Sequence, residues 1–448
     1  MSFIQTQMYT SKERGLTMNK IKVGLLGLGT VGSGVVRIIE NHQDKLFHRV
    51  GCVIEVKKVL VRDFEKERLI DIPRDILTTN VDEILNDPEI SVVIEVMGGI
   101  DGTKEYLIRA LENHKHIVTA NKDLMALHGG ELLKIAKQNK CDLYYEASVA
   151  GGIPIIRSLV EGLSSDRINR IMGIVNGTTN YILTKMAKEG RQYDEVLEEA
   201  QKLGYAESDP TSDVEGLDAA RKMTILATLG FSMPVELSDV LVKGISKVSK
   251  QDLDYAKQLG YTMKLIGLAD RNEDGIEVSV EPTLLPEAHP LANVNDVFNA
   301  VYVYGEAVGE TMFYGPGAGS LPTATAVVSD LVAVVKNLLM GVNGESVVSP
   351  QYEKDLKSSN EIYHKYFLRI HVKDEAGAFF KLISLFSNRN ISIEKILQWP
   401  IKGQAAAEIV LVTHVASSLS YEDVMNDLGK LDVVTAVKSS YRVVREEK

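Results

Sequence analysis

The chain is poor in cysteine: Cys52 and Cys141 are the only two among 448 residues, far apart and without a CxxC pair. A disulfide framework and a thiolate metal site are thereby excluded, and a reducing compartment, the cytoplasm, is expected. There is no long basic run and the net charge is -11, which argues against nucleic acid as a partner. No apolar run approaches the ~18 residues needed to span a bilayer, so no membrane association is expected. The first 17 residues, MSFIQTQMYTSKERGLT, lack the apolar centre of a signal peptide and read as a loose extension. The rest is ordinary for a globular protein, with 45% apolar and 25% charged residues. Its length suits roughly two to four domains.

From Lys20 the text alternates strands and helices. KIKVGLLGLG reads as a buried parallel strand that delivers Gly27-Leu28-Gly29-Thr30-Val31-Gly32 into the helix VGSGVVRIIENH. In that pattern Gly27 permits a tight turn and Gly29 lets backbone approach a pyrophosphate. Gly32 lets the helix pack on the strand, and the helix N-terminus attracts negative charge. After a strand and opening a helix, the motif points to a dinucleotide far more strongly than a lone GxGxxG. VIEVKKVLVRD ends in Arg62 and Asp63. Asp63 suits a ribose hydroxyl and Arg62 a 2′-phosphate, so NAD and NADP both stay open.

SVVIEVMGG puts Met97 and Gly98 at the C-terminal end of a strand, where open α/β sheets bind ligands. HIVTAN ends in Asn121-Lys122, which either aims an ammonium at the same crevice or is a surface lysine. Glu146 and the glycine-rich turn SVAGGIPII either offer oxygens to a hard cation or form a tight strand-to-helix turn.

RINRIMGIVNGTTNYIL opens a second domain, with the polar cluster NGTTN as helix cap or substrate loop. GYAESDPTSDVEGLDAARK (204–222) gathers Glu207, Asp209, Asp213, Glu215 and Asp218 ahead of a helix. Pro210 breaks any helix before that point, and LDAARKMTILATL has helical spacing after it. Asp218 and Lys222 then share one helix face, either as a surface ion pair or as a site for an ammonium ligand and a proton. YTMKLIGLAD, GIEVSVEPTLL and FNAVYVYG read as a mostly antiparallel sheet, apolar on one face. After GPGAG, a long apolar helix is expected to return to the first sheet.

The expected division is an extension over 1–19, a Rossmann-type dinucleotide-binding domain over 20–147 completed by the helix 320–340, and an α+β substrate and dimerisation domain over 148–319. A polar linker over 342–362 leads to residues 363–448, which read strand, helix, strand twice over, a βαββαβ ferredoxin-like module.

With these residues assembled, the chain resembles homoserine dehydrogenases of the bacterial type with a C-terminal ACT domain. GLGTVGSGV, TANK, NGTTNYIL, GYAESDPTSDVEGLDAARK and GPGAG fall in the family's order and cover nearly everything after residue 18. The resemblance implies NAD(P)H-dependent interconversion of L-aspartate 4-semialdehyde and L-homoserine, in threonine and methionine biosynthesis. It implies Lys222 as the acid/base at the substrate oxygen and Lys122 as a second active-site lysine. Glu207 and Asp218 would hold the amino group and hydroxyl region of the substrate, with Asp213 and Tyr205 lining the pocket and Gly177 and Thr178 touching substrate. Gly319 matches a late cofactor-contacting glycine. Glu146, Val149, Gly151 and Ile153 match a sodium site, the last three through carbonyls. The terminal module would bind an amino acid, L-threonine in the first place, in a homodimer or homotetramer. Its turn reads Asp374-Glu375-Ala376-Gly377 where the family usually has Asp-x-Pro-Gly.

Independently of the family, reducing an aldehyde needs a hydride on carbon and a proton on oxygen, which a lysine ammonium can donate. Two ammonium groups in one pocket lower each other's pKa and nearby carboxylates oppose this, so the net direction stays open. His289 is a rival acid/base. The rival functions are another amino-acid oxidoreductase on the same plan and a non-catalytic cofactor-sensing regulator. Substrate profiling separates the first, and dispensable lysines would mark the second.

Overall fold

The computed structural model describes residues 19–345 and 348–445. The expected N-terminal extension lies outside them except for Asn19, as do Ser346 and Val347 of the expected linker. The described residues fall into two compact units. The first takes the chain to Ser165, with Thr224–Leu237 and Phe313–Tyr352; the second takes Asp166–Met223, Ser238–Met312 and the chain from Glu353.

In the first unit, β1 (Lys20–Leu26), β2 (Val53–Leu60), β3 (Leu77–Thr78), β4 (Ile90–Glu95), β5 (His116–Thr119) and β6 (Leu143–Tyr144) form one sheet. All neighbours pair in parallel and the order is β3-β2-β1-β4-β5-β6. That is the order of a doubly wound dinucleotide-binding fold, with its reversal between β1 and β4. Parallel strands need helical crossovers, here α1 (Thr30–Asn41), α2 (Asp101–Glu112) and α3 (Lys122–Gln138) among others. The helix Ser320–Met340 is long and apolar enough to cross a membrane, yet half of its apolar window is buried. Ala324, Val327, Leu331 and Val335 share one core with Val23, Leu25, Val35, Val36 and Ile94. Its Asp330 is 1% exposed and meets Arg157 at 2.9 Å. It is therefore a core helix of this unit.

The second unit is built on β7 (Ile168–Ile174), β8 (Leu241–Val242), β9 (Tyr261–Asn272), β10 (Gly275–Pro286) and β11 (Phe298–Gly305), with β12 (Gly309–Pro316) leaving it after Met312. β9 and β10 form a long antiparallel hairpin, and β7 runs antiparallel between β9 and β11. Helix α4 (Gly177–Glu189) follows β7, and α5 (Leu217–Phe231) begins in this unit.

The C-terminal module has β13 (Tyr363–Lys373), β14 (Ile393–Pro400), β15 (Ala406–Thr413), β16 (Ala416–Ser417) and β17 (Val434–Val443), with α6 (Ala378–Asn388) and α7 (Ser418–Leu428). Leu368, Ile370, Leu382, Phe386, Ile409 and Val424 make its own core. Its last strand does not end the sheet. β17 pairs in parallel with β10, Thr283 opposite Arg442 and Leu284 opposite Val443. The sheet therefore continues from β10 through β17 to β13, β15 and β14. The expected one-sided pattern of β10 gives way to burial of every residue from Gly275 to Pro286. Its charged residues face partners inside the protein, not water.

These features match the fold class read from the sequence: a Rossmann-type unit, an α+β substrate region and a ferredoxin-like ACT module.

Candidate functional site

The turn after β1 shows why glycines stand there. Gly27 has φ +103, and a Cβ on it would lie 2.9 Å from the Met97 Cα. A Cβ on Gly32 would sit 2.2 Å from the Gly27 carbonyl oxygen, so only a bare Cα lets α1 start this close to the strand. At Gly29, by contrast, a Cβ would meet nothing within 4 Å. Gly29 faces open space where a diphosphate could approach the backbone.

That space is a cavity of about 690 Å³ lined by Gly27, Leu28, Gly29, Arg62, Met97 and Gly98 among others. Thr30, Val31 and Gly32 form the first turn of α1 beside it. Gly319 (φ +124) comes immediately before the long helix, and the Ser320 hydroxyl donates to the Thr30 carbonyl at 2.7 Å. The late glycine and the early motif are thus neighbours. The loop after β2 adds Asp63, Lys66, Glu67 and Arg68 to the lining. Arg68 holds that loop by donating to the carbonyls of Phe64 and Lys66, both at 2.8 Å. Lys66 and Arg68 were not singled out from the sequence, because an irregular loop has no period to place its charges.

On the far side of the cavity the loop Met97-Gly98-Gly99 is held from below. Glu95, 0% exposed at the end of β4, accepts from the N–H groups of Met97 and Gly98 at 2.9 and 3.0 Å. Its other oxygen accepts from the Thr119 hydroxyl at 2.6 Å. Asn121 caps α3 by accepting from the Leu124 N–H at 3.1 Å, which makes Lys122 the first residue of the helix.

The turn after β6 is wound tightly. Both Glu146 carboxylate oxygens accept backbone N–H groups, from Ile156 and Arg157, at 2.8 Å each. Burial pushes the Glu146 carboxyl up against those two donors. Val149 and Ile153 are buried, and Gly151 adopts φ +50 against the Gly317 carbonyl. Among the described residues, no group of three or more His, Cys, Asp or Glu could hold a metal. A cation at this turn would depend on backbone carbonyls.

In the second unit the acidic stretch and the NGTTN cluster come together. On α5, the Lys222 ammonium donates to the Asp218 carboxylate one turn earlier at 2.7 Å and to the Val175 carbonyl, at the end of β7, also at 2.7 Å. Asn176 links the same carboxylate to a second one. Its amide nitrogen donates to Asp218 at 2.9 Å and to Asp213 at 2.7 Å. Its amide oxygen caps α4, accepting from the Thr179 N–H at 2.9 Å. The cap fixes the amide's orientation, since the oxygen must face the helix and the nitrogen the carboxylates. Burial pushes the Asp213 carboxyl up; the Asn176 bond and the Lys222 charge work against that, and the Asp218 charge adds to it.

Gly177 opens α4 with its Cα against the Val297 carbonyl, where a Cβ would lie 2.8 Å away. The Thr178 hydroxyl donates to the Tyr205 carbonyl at 2.6 Å, and the Tyr205 ring tilts against Tyr181 at 5.1 Å. Asn176 joins Lys222 and Asp218 to Asp213, and the Asp213 carboxylate also meets the Thr178 hydroxyl, so with Tyr205 these form one connected set. Glu207 is exposed on the loop beyond it, its carbonyl accepting from Gln201 at 3.0 Å. His289 instead caps the short turn Pro290–Asn293, its Nδ1 accepting from the Leu291 N–H at 3.2 Å. Asn176 and the Val175 carbonyl were not singled out as site groups; the NGTTN cluster was read as helix cap or substrate loop, and Asn176 is the cap while also tying the two carboxylates.

Three family models match the chain. They are the NAD-binding domain of homoserine dehydrogenase over residues 27–146, homoserine dehydrogenase over 154–332, and the ACT domain over 366–433. A homoserine dehydrogenase of Bacillus subtilis (strain 168) is 66% identical over 427 residues, covering 95% of this chain and 99% of the relative. One of Lactococcus lactis is 42% identical over 397 residues, with coverages of 88% and 92%. The crystal structure of a homoserine dehydrogenase from Thiobacillus denitrificans superposes with a TM-score of 0.89 at 39% identity, covering 95% of this chain and 99% of that one. A hyperthermophilic archaeal homoserine dehydrogenase in complex with NADPH matches with a TM-score of 0.61 at 29% identity, covering 70% and 98%.

Proposed function

The chain belongs to the homoserine dehydrogenase family and is an NAD(P)-dependent oxidoreductase, and on that premise we propose which of its residues do the work. The reaction joins L-aspartate 4-semialdehyde, NAD(P)H and a proton to L-homoserine and NAD(P)⁺. Lys222 gives the proton to the aldehyde oxygen and takes it back from the hydroxyl in reverse. The observation that carries this is the lysine's hydrogen bonding. An ammonium has three N–H donors, and Val175 and Asp218 take two of them at 2.7 Å each, which leaves one for a substrate oxygen. Asp218 and Glu207 bind the substrate's amino group and hydroxyl region. Asp213 and Tyr205 line its pocket, with Gly177 and Thr178 as further contacts. Lys122 serves as a second lysine near substrate and nicotinamide.

The residues around the first unit's cavity fit a dinucleotide, because Gly29 leaves space that a side chain would fill. Gly27 to Gly32, Met97, Gly98 and Gly319 would hold it, and Arg62 would pair with a 2′-phosphate if the cofactor is NADP. When bound, the reduced nicotinamide supplies the hydride. A sodium ion at the turn of Glu146, Val149, Gly151 and Ile153 would tie that turn together. The domain division read from the sequence, a cytoplasmic setting and a homodimer or homotetramer complete this reading. In it the enzyme serves threonine and methionine biosynthesis and the ACT module responds to L-threonine.

The test is a spectrophotometric assay with L-homoserine and each of NAD and NADP, on the wild type and on Lys222→Ala. Loss of a general acid–base group costs roughly 10²–10⁴-fold in turnover. A folded Lys222→Ala protein with wild-type turnover overturns the assignment.

A further inference from the structure

The buried carboxylate of Glu95 is unlike the other groups at the end of the parallel sheet. It lies directly after three apolar strand residues and is 0% exposed, where an isolated charge is costly. Nothing in the reaction requires an acid there. Its bonds reach in two directions. Upward, one oxygen takes the N–H groups of Met97 and Gly98, the loop that lines the nucleotide cavity. Sideways, the other takes the Thr119 hydroxyl, on the neighbouring strand. The Thr119 oxygen in turn accepts from the Asn121 N–H at 3.0 Å, one residue before Lys122.

A second tie closes the ring. The Asn121 side chain donates to the Gly99 carbonyl at 2.7 Å while its oxygen caps α3. The Gly98 carbonyl accepts from Thr103 at the start of α2, also at 2.7 Å. The loop has little stiffness of its own, since Gly98 and Gly99 stand at φ +71 and +81, conformations glycine visits freely. Its shape is set by these side chains.

We infer that Glu95 is a positioning residue for the reaction: one buried carboxylate sets the Met97–Gly99 loop of the nucleotide cavity and the base of the Lys122 helix in a fixed relation. The inference rests on the reading of Lys122 as an active-site lysine. Burial pushes the Glu95 carboxyl up, while the Thr119 hydroxyl and the Gly98 and Met97 N–H groups pull it down. Burial is the larger influence and leaves the carboxyl raised, with the three donors converging on its two oxygens. A glutamine could keep the two loop N–H bonds through its oxygen. Its amide nitrogen would then point a donor at Thr119, whose hydroxyl proton would lose its acceptor.

Three variants of the full-length protein test this: Glu95→Gln, Thr119→Val and Thr119→Ser. Misplacing a catalytic group by about 1 Å costs on the order of 10²-fold. Glu95→Gln and Thr119→Val are therefore expected to lower kcat at least about tenfold. The KM values for homoserine and cofactor are expected to stay within a few-fold and the melting temperature near wild type. Thr119→Ser keeps the hydroxyl and is expected to restore kcat. A merely structural role would lower the melting temperature and leave kcat of the folded fraction intact, and that result overturns the inference. So does wild-type kcat in Thr119→Val. Lys122→Ala, measured alongside, separates the two ideas. If it keeps full activity, the reading of Lys122 fails and the inference with it. If it is inactive while Thr119→Val is unimpaired, the inference falls alone.

Discussion

Strand β4 of the parallel sheet and strand β10 of the mixed sheet both bury glutamates, and their partners differ in kind. Glu95 on β4 is met by a hydroxyl and by N–H groups from within a few residues of its own strand end or the next. Glu277 and Glu281 on β10 share the Arg442 guanidinium, 4.0 Å from Glu277, while the His364 imidazole, whose pKa burial lowers, adds a ring hydrogen bond to Glu277. His364 lies 3.1 Å from Glu277, and Arg442 lies 2.8 Å from Glu281, both from the ACT module; Lys243 reaches Glu281 at 2.9 Å. Asp252, 1% exposed, is answered in the same way by Arg369 at 2.8 Å and the Tyr441 hydroxyl at 3.0 Å. Neutral donors make a buried carboxylate a local fixture of its loop. Ionic partners make it depend on chain far away in sequence, because one charge without the other is costly to bury. The first unit can thus shape the loop of its nucleotide cavity by itself, while the mixed sheet of the second unit is completed by the ACT module.

The strongest way to break this comparison is to end the chain at Ser359, which removes His364, Arg369, Arg442 and the strand paired with β10 together. Each buried pair broken costs about 3–5 kcal/mol, so the melting temperature is expected to fall by roughly 10 °C or more, if a cooperative transition survives at all. Calorimetry checks this. An unchanged transition with retained turnover would show that β10 tolerates its glutamates unpaired.

A single replacement sharpens it. Arg442→Met removes the guanidinium that serves Glu281 and the Ser279 hydroxyl and is expected to cost about 3 kcal/mol in urea unfolding. Acid should act on the same cluster. Burial alone would raise the Glu277 carboxyl, but the bond and charge of His364, with Arg442 and Lys357, pull it down to about 2. A carboxyl lowered on folding stabilises above its unfolded pKa, and that contribution is lost as pH falls from about 4.5 towards 2. Arg442→Met should move this loss to higher pH. An acid-unfolding midpoint identical to wild type would count against the ionic account.

The smallest expected effect on stability lies in the first unit, where cations line a cavity and bind outward. Arg62→Ala is expected to leave the melting temperature unchanged. It should weaken NADP about tenfold or more and spare NAD, the scale of one charged hydrogen bond. Equal losses for both cofactors would remove Arg62 from the 2′-phosphate.

What was legible in the sequence followed the chain's local order. The strand–turn–helix around Gly27–Gly32 and the spacing of Asp218 and Lys222 depend on neighbours a few residues apart, and pattern exposes them. What was not legible depended on distant segments. Asn176 gains its second role only because β7, the acidic loop and α5 converge, and no period links positions 37 and 42 residues apart. GIEVSVE alternates like a half-exposed strand, so Glu277 and Glu281 read as solvent-facing until β17 is laid beside them. The Glu95 carboxylate sits at the end of an apolar strand run and gave no sign of its three hydrogen bonds to the loop and the neighbouring strand.

Asn176 has one more consequence, which concerns the ageing of the protein. Asparagine followed by glycine is the dipeptide most prone to deamidate, because the glycine N–H can attack the side-chain amide carbon and yield aspartate or isoaspartate. Asn176-Gly177 is such a pair, but here the amide is buried and both its ends are tied, to Thr179 on one side and to Asp213 and Asp218 on the other. The folded chain thus shields this labile pair. A molecule that spends time unfolded loses the shield, and on refolding would bring a third carboxylate, in place of an amide donor, against two that already crowd one lysine.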